Sequence, residues 1–179
     1  VLTKEIEEQF TKGDRKAFDA VYAAFSAAMF ALCLRYTRCS DDAQDVLQEA
    51  FIKVYKSCDQ YSMDKHLAAW IKTITINTAL SYIKKNYRFE LHEDDDFFDE
   101  QQEVHFDQED QENLKNKLIR ILNELPDGYR TVFNLFVIDN LTHKEIAEYL
   151  SISESTSKTQ YFKAKKMIHS LLEVSNQKA

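Results

Sequence analysis

Residues 141–172, LTHKEIAEYLSISESTSKTQYFKAKKMIHSLL, decide the class of this chain. Thr142 and Glu145 stand three apart, the spacing of a capping box in which hydroxyl and carboxylate satisfy each other's backbone N–H groups. Ile146, Ala147 and Leu150 then make the buried stripe of a short helix. Ser151-Ile152-Ser153 leave room only for a tight turn, with Ser153 as cap of the next helix and Ile152 as a plug between the two. This is the pattern of a helix-turn-helix. The second helix carries Ser155, Thr156, Lys158, Thr159, Gln160, Phe162, Lys163, Lys165 and Lys166. Its short hydroxyls and amide suit base edges and its lysines suit phosphates. A plain helical hairpin with a solvated lysine face is the competing reading.

Upstream, Leu114, Leu118, Ile121, Leu122 and Leu125 form an amphipathic helix ended by Pro126, and residues 128–140 form another. The remaining chain is also helical in pattern. It has only two Gly and one Pro among 179 residues, too few for hairpins and barrels.

In the N-terminal part, Phe18, Val21, Tyr22, Phe25, Met29, Leu32, Cys33 and Tyr36 recur at three and four, a core-facing helical stripe. The near-apolar run 22–34 is too short to span a membrane. Gly13-Asp14 separates this helix from a short one before it. Ser40 is read as the N-cap of a helix with Asp41, Asp42 and Asp45 near its positive end, burying Val46, Leu47, Ala50, Phe51, Val54 and Tyr55. After a break at 59–64 comes a stretch containing Ile71-Lys-Thr-Ile-Thr-Ile76, which alternates like a strand. Leu67, Trp70/Ile71, Ile74, Ile76, Leu80, Ile83 and Tyr87 follow helical spacing across it, and no turn signal interrupts them, so a helix is expected. Lys72, Lys84, Lys85 and Arg88 stand among Trp70, Tyr82 and Tyr87, a mixture that suits unpaired nucleic acid; a core Trp70 and a solvated lysine face explain the same residues.

The net charge of −7 is unevenly spread. Residues 89–113 hold 12 Asp/Glu and no Lys/Arg, whereas 1–88 and 114–179 carry +2 and +3. The acidic stretch repels itself and has no apolar stripe, so it is expected to be a flexible linker. It is either a solvated spacer or a polyanion that docks in a basic channel; Phe89, Phe97, Phe98 and Phe106 favour docking. The expected fold is therefore all-α: a helical domain over 1–88, an acidic linker over 89–113, and a helix-turn-helix domain over 114–179.

Cys33, Cys39 and Cys58 show no pair spacing, and the five histidines form no i,i+4 ligand pair. No metal, cofactor or small-molecule substrate is expected. Neither a nucleophile–base set nor a Gly-rich phosphate loop is present in the sequence, so an enzyme is not expected.

The order of these parts resembles the extracytoplasmic-function (ECF) group of bacterial sigma factors. Residues 41–55 are similar to that group's polymerase-clamp helix, with Asp45, Gln48, Glu49 and Phe51 matching. Residues 68–85 resemble the stretch that melts and reads the minus-ten element, with Trp70, Ile74 and Asn77 matching. The loop before it, including Tyr61, Asp64, Lys65 and His66, corresponds to the segment that captures a flipped-out base. Residues 125–168 resemble the domain that reads the minus-thirty-five element as duplex. Ser81 stands where the group has an acidic residue, and Ser155-Thr-Ser-Lys158 stands where Gly-Thr-Val-Lys is common. Lys84, Lys85, Lys163, Lys165 and Lys166 replace frequent arginines; a lysine is a point charge without a bidentate fork, which suits phosphates. The resemblance implies core RNA polymerase, promoter DNA and an anti-sigma protein as partners; the cysteine usage fits a reducing cytoplasm. It also implies that the acidic linker occupies the polymerase channel later claimed by nascent RNA. The alternatives are a classical helix-turn-helix regulator, which has no need of Asp45, Gln48 and Glu49, and a helical protein-binding adaptor.

Overall fold

The computed structural model describes residues 2–86 and 111–176, which form two helical units. The acidic stretch up to residue 110, together with Tyr87 and Arg88, lies outside the described residues.

The first unit holds α1 (Lys4–Thr11), α2 (Arg15–Tyr36), α3 (Ser40–Lys56), a single 3-10 turn (Cys58–Gln60) and α4 (Leu67–Asn86). Three of the four helix starts have a side-chain cap. Thr3 accepts from the Ile6 amide at 3.4 Å and Asp14 from Ala17 at 2.8 Å. Gly13 turns the chain between α1 and α2 at φ +78°, where a side chain is strained. The cap of α3 is Cys39, whose Sγ accepts from Asp42 N at 3.5 Å, and not Ser40, which is the first helical residue. The two choices differ by one residue, because a serine beside a cysteine outranks it by propensity.

Helices α2, α3 and α4 pack on one another, and α1 closes over α2 and the 3-10 turn. Their shared core contains Val21, Leu32, Cys33, Tyr36, Val46, Ala50, Phe51, Val54, Ile71, Ala79 and Ile83. At 22 residues α2 is long and apolar enough by composition to cross a membrane, contrary to the length argument from the sequence. Its buried face, however, is taken by its helical neighbours.

The strand-like stretch 71–76 is helical. Thr75 within it and Thr78 just beyond it are buried, their hydroxyls donating to backbone carbonyls four residues back at 2.9 and 2.8 Å. That bond satisfies a hydroxyl that burial would otherwise strand.

The second unit holds α5 (Gln111–Glu124), α6 (Asp127–Phe133), α7 (His143–Leu150) and α8 (Glu154–Asn176). Helix α5 begins three residues before the domain start read from the sequence. The helix expected over 128–140 is α6 followed by one wide π turn, Asn134–Ile138, closed by Asp139 N donating to Asn134 O at 2.9 Å. Ile121, Leu122, Leu125, Phe133, Ala164 and Ile168 make the core where α5, α6 and α8 meet. Beneath them Arg130 is wholly buried, with Nη2 at 2.5 Å from Asp127 Oδ1.

Candidate polymerase and nucleic-acid surfaces

On α3 the buried positions Val46, Leu47, Ala50, Phe51 and Val54 face α2 and α4. Asp45, Gln48 and Glu49 fall on the opposite side and are exposed. Ile52 completes that outer row at i+3 and i+4 from them and is 54% exposed. Sequence matching missed Ile52, although an isoleucine out of phase with the core stripe was a readable signal. Glu49 pairs with Lys53 at 2.7 Å, and Lys53 also donates to Thr78 Oγ1 at 3.3 Å. Phe51, matched as part of the same motif, is 3% exposed and meets Phe18 and Tyr22 edge-on. It supports the surface from behind.

The loop before α4 has a fixed base and an exposed tip. Tyr61 is buried, its ring against Phe10 and Trp70. Its hydroxyl donates to Lys65 O at 2.7 Å, with Glu7 Oε2 a second acceptor at 3.1 Å. Burial and the neighbouring Glu7 push the Tyr61 phenol up to about 12. Ser62 donates to the Asp64 carboxylate, which holds that acid below its ordinary range. Met63, Asp64, Lys65 and His66 are exposed. Of the loop residues read as DNA-facing, Tyr61 is thus an anchor, and Trp70 is half-buried against Phe10 and Tyr61.

Along α4, Thr73, Asn77, Ser81 and Lys84 line up at helical spacing on one exposed stripe, with Lys85 beside it. Lys72 is half-buried. Arg88 lies outside the described residues. Thr73 is an addition that sequence matching did not single out.

In the second unit the capping box forms as the spacing predicts: Thr142 N donates to Glu145 Oε2 at 2.7 Å and Glu145 N to Thr142 Oγ1 at 3.3 Å. The Thr142 amide and hydroxyl, both donating to Oε2, hold the Glu145 carboxyl below its usual value. Ser151 makes the turn in the left-handed region, φ 58°, and Ser153 Oγ accepts from Thr156 N at 3.0 Å. On α8, Ser155, Lys158 and Lys166 are exposed, while Phe162, Lys163 and Lys165 are half-buried. Lys158 pairs with Glu154 at 2.8 Å, and the Lys165 ammonium lies 5.0 Å from the centre of the Tyr161 ring.

Thr156, Thr159 and Gln160, read from the sequence as base-facing, are instead buried. The inward stripe of α8 is Thr156, Gln160, Ala164 and Ile168, an i,i+4 ladder whose first two members are polar. Ser157 is also buried and bonds His143 Nδ1 at 2.9 Å, tying α8 to α7. His143 stacks on Phe136, centroids 4.2 Å apart, and burial first, then Lys158, lowers its pKa.

With this geometry in place, comparison with known proteins is specific. Residues 21–89 match the family model for sigma-70 region 2, and residues 115–168 match that for sigma-70 region 4. The chain is 28% identical over 176 residues to the ECF RNA polymerase sigma-E factor of Haemophilus influenzae, covering 93% of each. It is 29% identical over 171 residues to the ECF sigma-E factor of Escherichia coli K12, covering 90% of this chain and 89% of that one. It is 26% identical to the RNA polymerase sigma-H factor of Pseudomonas aeruginosa, covering 97% of each. Two solved structures share the fold. One is a Bartonella quintana sigma factor in complex with the anti-sigma factor NepR (24% identity, TM-score 0.56, 89% of this chain and 98% of that one). The other is CnrH in complex with the cytosolic domain of CnrY (20% identity, TM-score 0.54, 94% and 96%). Two sigma-70 regions in order, on helices that bear the outward rows described above, place the chain in the sigma-70 family: it is a sigma factor of the ECF group.

Proposed function

We propose that the outer row of α3, formed by Asp45, Gln48, Glu49 and Ile52, is the surface that docks on core RNA polymerase. The single observation that carries this is Ile52, an apolar side chain 54% exposed in the middle of carboxylates and an amide. An apolar anchor inside a polar rim is the anatomy of a protein interface. Phe51 serves the same surface by packing beneath it.

The loop tip Met63–His66 and the α4 stripe Thr73, Asn77, Ser81, Lys84 and Lys85 hold the unpaired strand of the minus-ten element. Capturing bases there offsets the lost pairing and stacking, a few kcal/mol per flipped base. No covalent bond is made or broken in that step, so the chain needs no catalytic group. On α8, Ser155, Lys158, Lys163, Lys165 and Lys166 meet the duplex minus-thirty-five element, mainly at phosphates. The acidic stretch 89–110 lies outside the described residues; its charge suits the basic channel named by the family resemblance. An anti-sigma protein is the expected regulator, as in the Bartonella quintana complex, and the chain works where polymerase does, in the cytoplasm.

Run-off transcription with core polymerase and a promoter library tests the reading. Wild-type chain should direct starts at a shared two-element promoter, and an Asp45/Gln48/Glu49→Ala variant should not. Duplex binding without any directed starts would instead indicate a classical regulator.

A further inference from the structure

Helix α1 lies outside residues 21–89, which match the region 2 model, yet it meets the loop before α4 through Phe10 and Glu7. Phe10 is wholly buried, its ring 6.4 Å from that of Tyr61 and 6.3 Å from that of Trp70. The Tyr61 and Trp70 rings are themselves 5.4 Å apart, so α1 completes a three-ring cluster at the base of the loop. Three residues before Phe10, Glu7 Oε2 lies 3.1 Å from Tyr61 Oη. The Tyr61 hydroxyl has one proton and two acceptors here, Glu7 Oε2 and, at 2.7 Å, Lys65 O. It thereby joins α1, the start of the loop and its far end.

The tip is held differently. A cavity of about 360 Å³ stands between Lys4 and Glu7 on α1 and Met63 to Leu67. Residues 62–66 are exposed. The bonds from Ser62 to Asp64 and from Lys65 N to Ser62 O, the latter 3.0 Å, shape the tip without tying it to a helix. Few buried contacts restrain such a tip, so its position depends on what anchors the base.

We infer that α1 is a brace for this loop and that Glu7 and Phe10 are positioning residues for promoter opening, acting through Tyr61. The inference rests on the reading of the loop as a holder of the unpaired strand; what it adds is the part played by α1. A loop already held in its receiving shape spares the ordering that a free loop undergoes on binding. Removing the Glu7 acceptor leaves the Tyr61 bond to Lys65 O in place, so the unit should still fold while the tie between loop and α1 weakens.

The test uses the full chain with core polymerase and a promoter recovered from the library above. It follows the rate of opening, the affinity for core and thermal unfolding together. Glu7→Ala should slow opening roughly three- to tenfold, the scale of one hydrogen bond, with core affinity and unfolding as in wild type. Glu7→Gln, whose amide oxygen still accepts from Tyr61, should open as wild type does. In a Tyr61→Phe background Glu7→Ala should add no further loss, because the bond is already gone. Opening by Glu7→Ala at the wild-type rate or faster would overturn the inference. So would an equal loss in Glu7→Gln, or a full additional loss in the Tyr61→Phe background. Slower opening matched by an equal loss of core affinity or by a lowered unfolding temperature would also overturn it, since Glu7 would then serve only the fold. A Lys65→Ala/His66→Ala variant separates the two readings. If it opens the promoter as wild type does, the strand-holding loop falls and the inference falls with it. If it slows opening while Glu7→Ala does not, the loop stands and the brace falls.

Discussion

Arg130 and Asp127 form an ion pair in the interior of the second unit, Nη2 to Oδ1 at 2.5 Å, with side chains 0% and 2% exposed. They are three residues apart on α6, so the helix itself sets their approach. Arg130 Nη1 also lies 3.5 Å from Asn123 Oδ1, which ties α6 back to the end of α5. Taking two charges out of water is costly, and such a pair contributes little net stability; breaking it is a different matter. Arg130→Met should leave Asp127 buried without its partner and destabilise the second unit by about 3–5 kcal/mol, whereas Asp127→Leu/Arg130→Met should recover most of that loss. Urea unfolding of the single and double variants measures both, and a double variant as unstable as the single one would show the pair to be worth more than its desolvation cost.

Neighbours Phe51 and Ile52 should respond oppositely to the same truncation. Phe51→Ala opens a cavity between α2 and α3 and is expected to cost about 3–5 kcal/mol of folding stability. Ile52→Ala removes an exposed side chain, so unfolding should move by no more than about 0.5 kcal/mol. Its effect belongs on polymerase affinity, a loss of about 1–2 kcal/mol. Thermal unfolding and titration of labelled chain with core polymerase separate the two; unchanged affinity for Ile52→Ala would remove this residue from the interface.

His143 should titrate below the ordinary imidazole value. Burial disfavours the charged ring and Lys158 repels it, while Glu154 acts weakly the other way. A folded pKa below the unfolded one means that the unfolded state takes up the proton first as pH falls. The second unit should therefore keep its stability above about pH 6.5 and lose it as pH drops through the lower folded value. An NMR titration of the ring gives the midpoint directly, and one at or above 6.5 would sink the argument. In His143→Gln the corresponding part of the pH dependence should vanish.

Two residues of α8 separate contact from packing. Lys166→Ala should weaken duplex binding about equally for all sequences and shallow the slope of log affinity against log salt by about 1. Gln160→Leu should change folding stability, with the salt slope kept, because Gln160 is wholly buried. Binding isotherms at several salt concentrations distinguish them. A Gln160→Leu chain that folds normally yet changes base preference would return this residue to the DNA surface.

Local chemistry alone accounted for much of this protein. Helix content followed from apolar spacing and the scarcity of Gly and Pro, the α7 start from Thr142 and Glu145, and the α8 start from Ser153. Each of these is a relation among residues a few positions apart, and backbone geometry fixes what such neighbours can do. The outward row of Asp45, Gln48 and Glu49 was legible for the same reason: the core stripe of α3 is uniformly apolar, so its opposite face is defined.

Elsewhere the inside of the molecule was not apolar, and periodicity lost its signal. Thr156 and Gln160 lead the buried ladder of α8, Thr75 and Thr78 line α4, and Arg130 lies wholly within the second unit. Burying a polar side chain costs least when a partner satisfies it, and some of those partners come from distant sequence. His143 meets Ser157 across fourteen residues and Glu7 meets Tyr61 across fifty-four. Sequence pattern therefore determined which segments are helices and where several of them begin. Tertiary structure decided which of their polar residues face solvent, because packing sets which face of each helix is covered and, as for His143 and Ser157, can supply a partner from distant sequence.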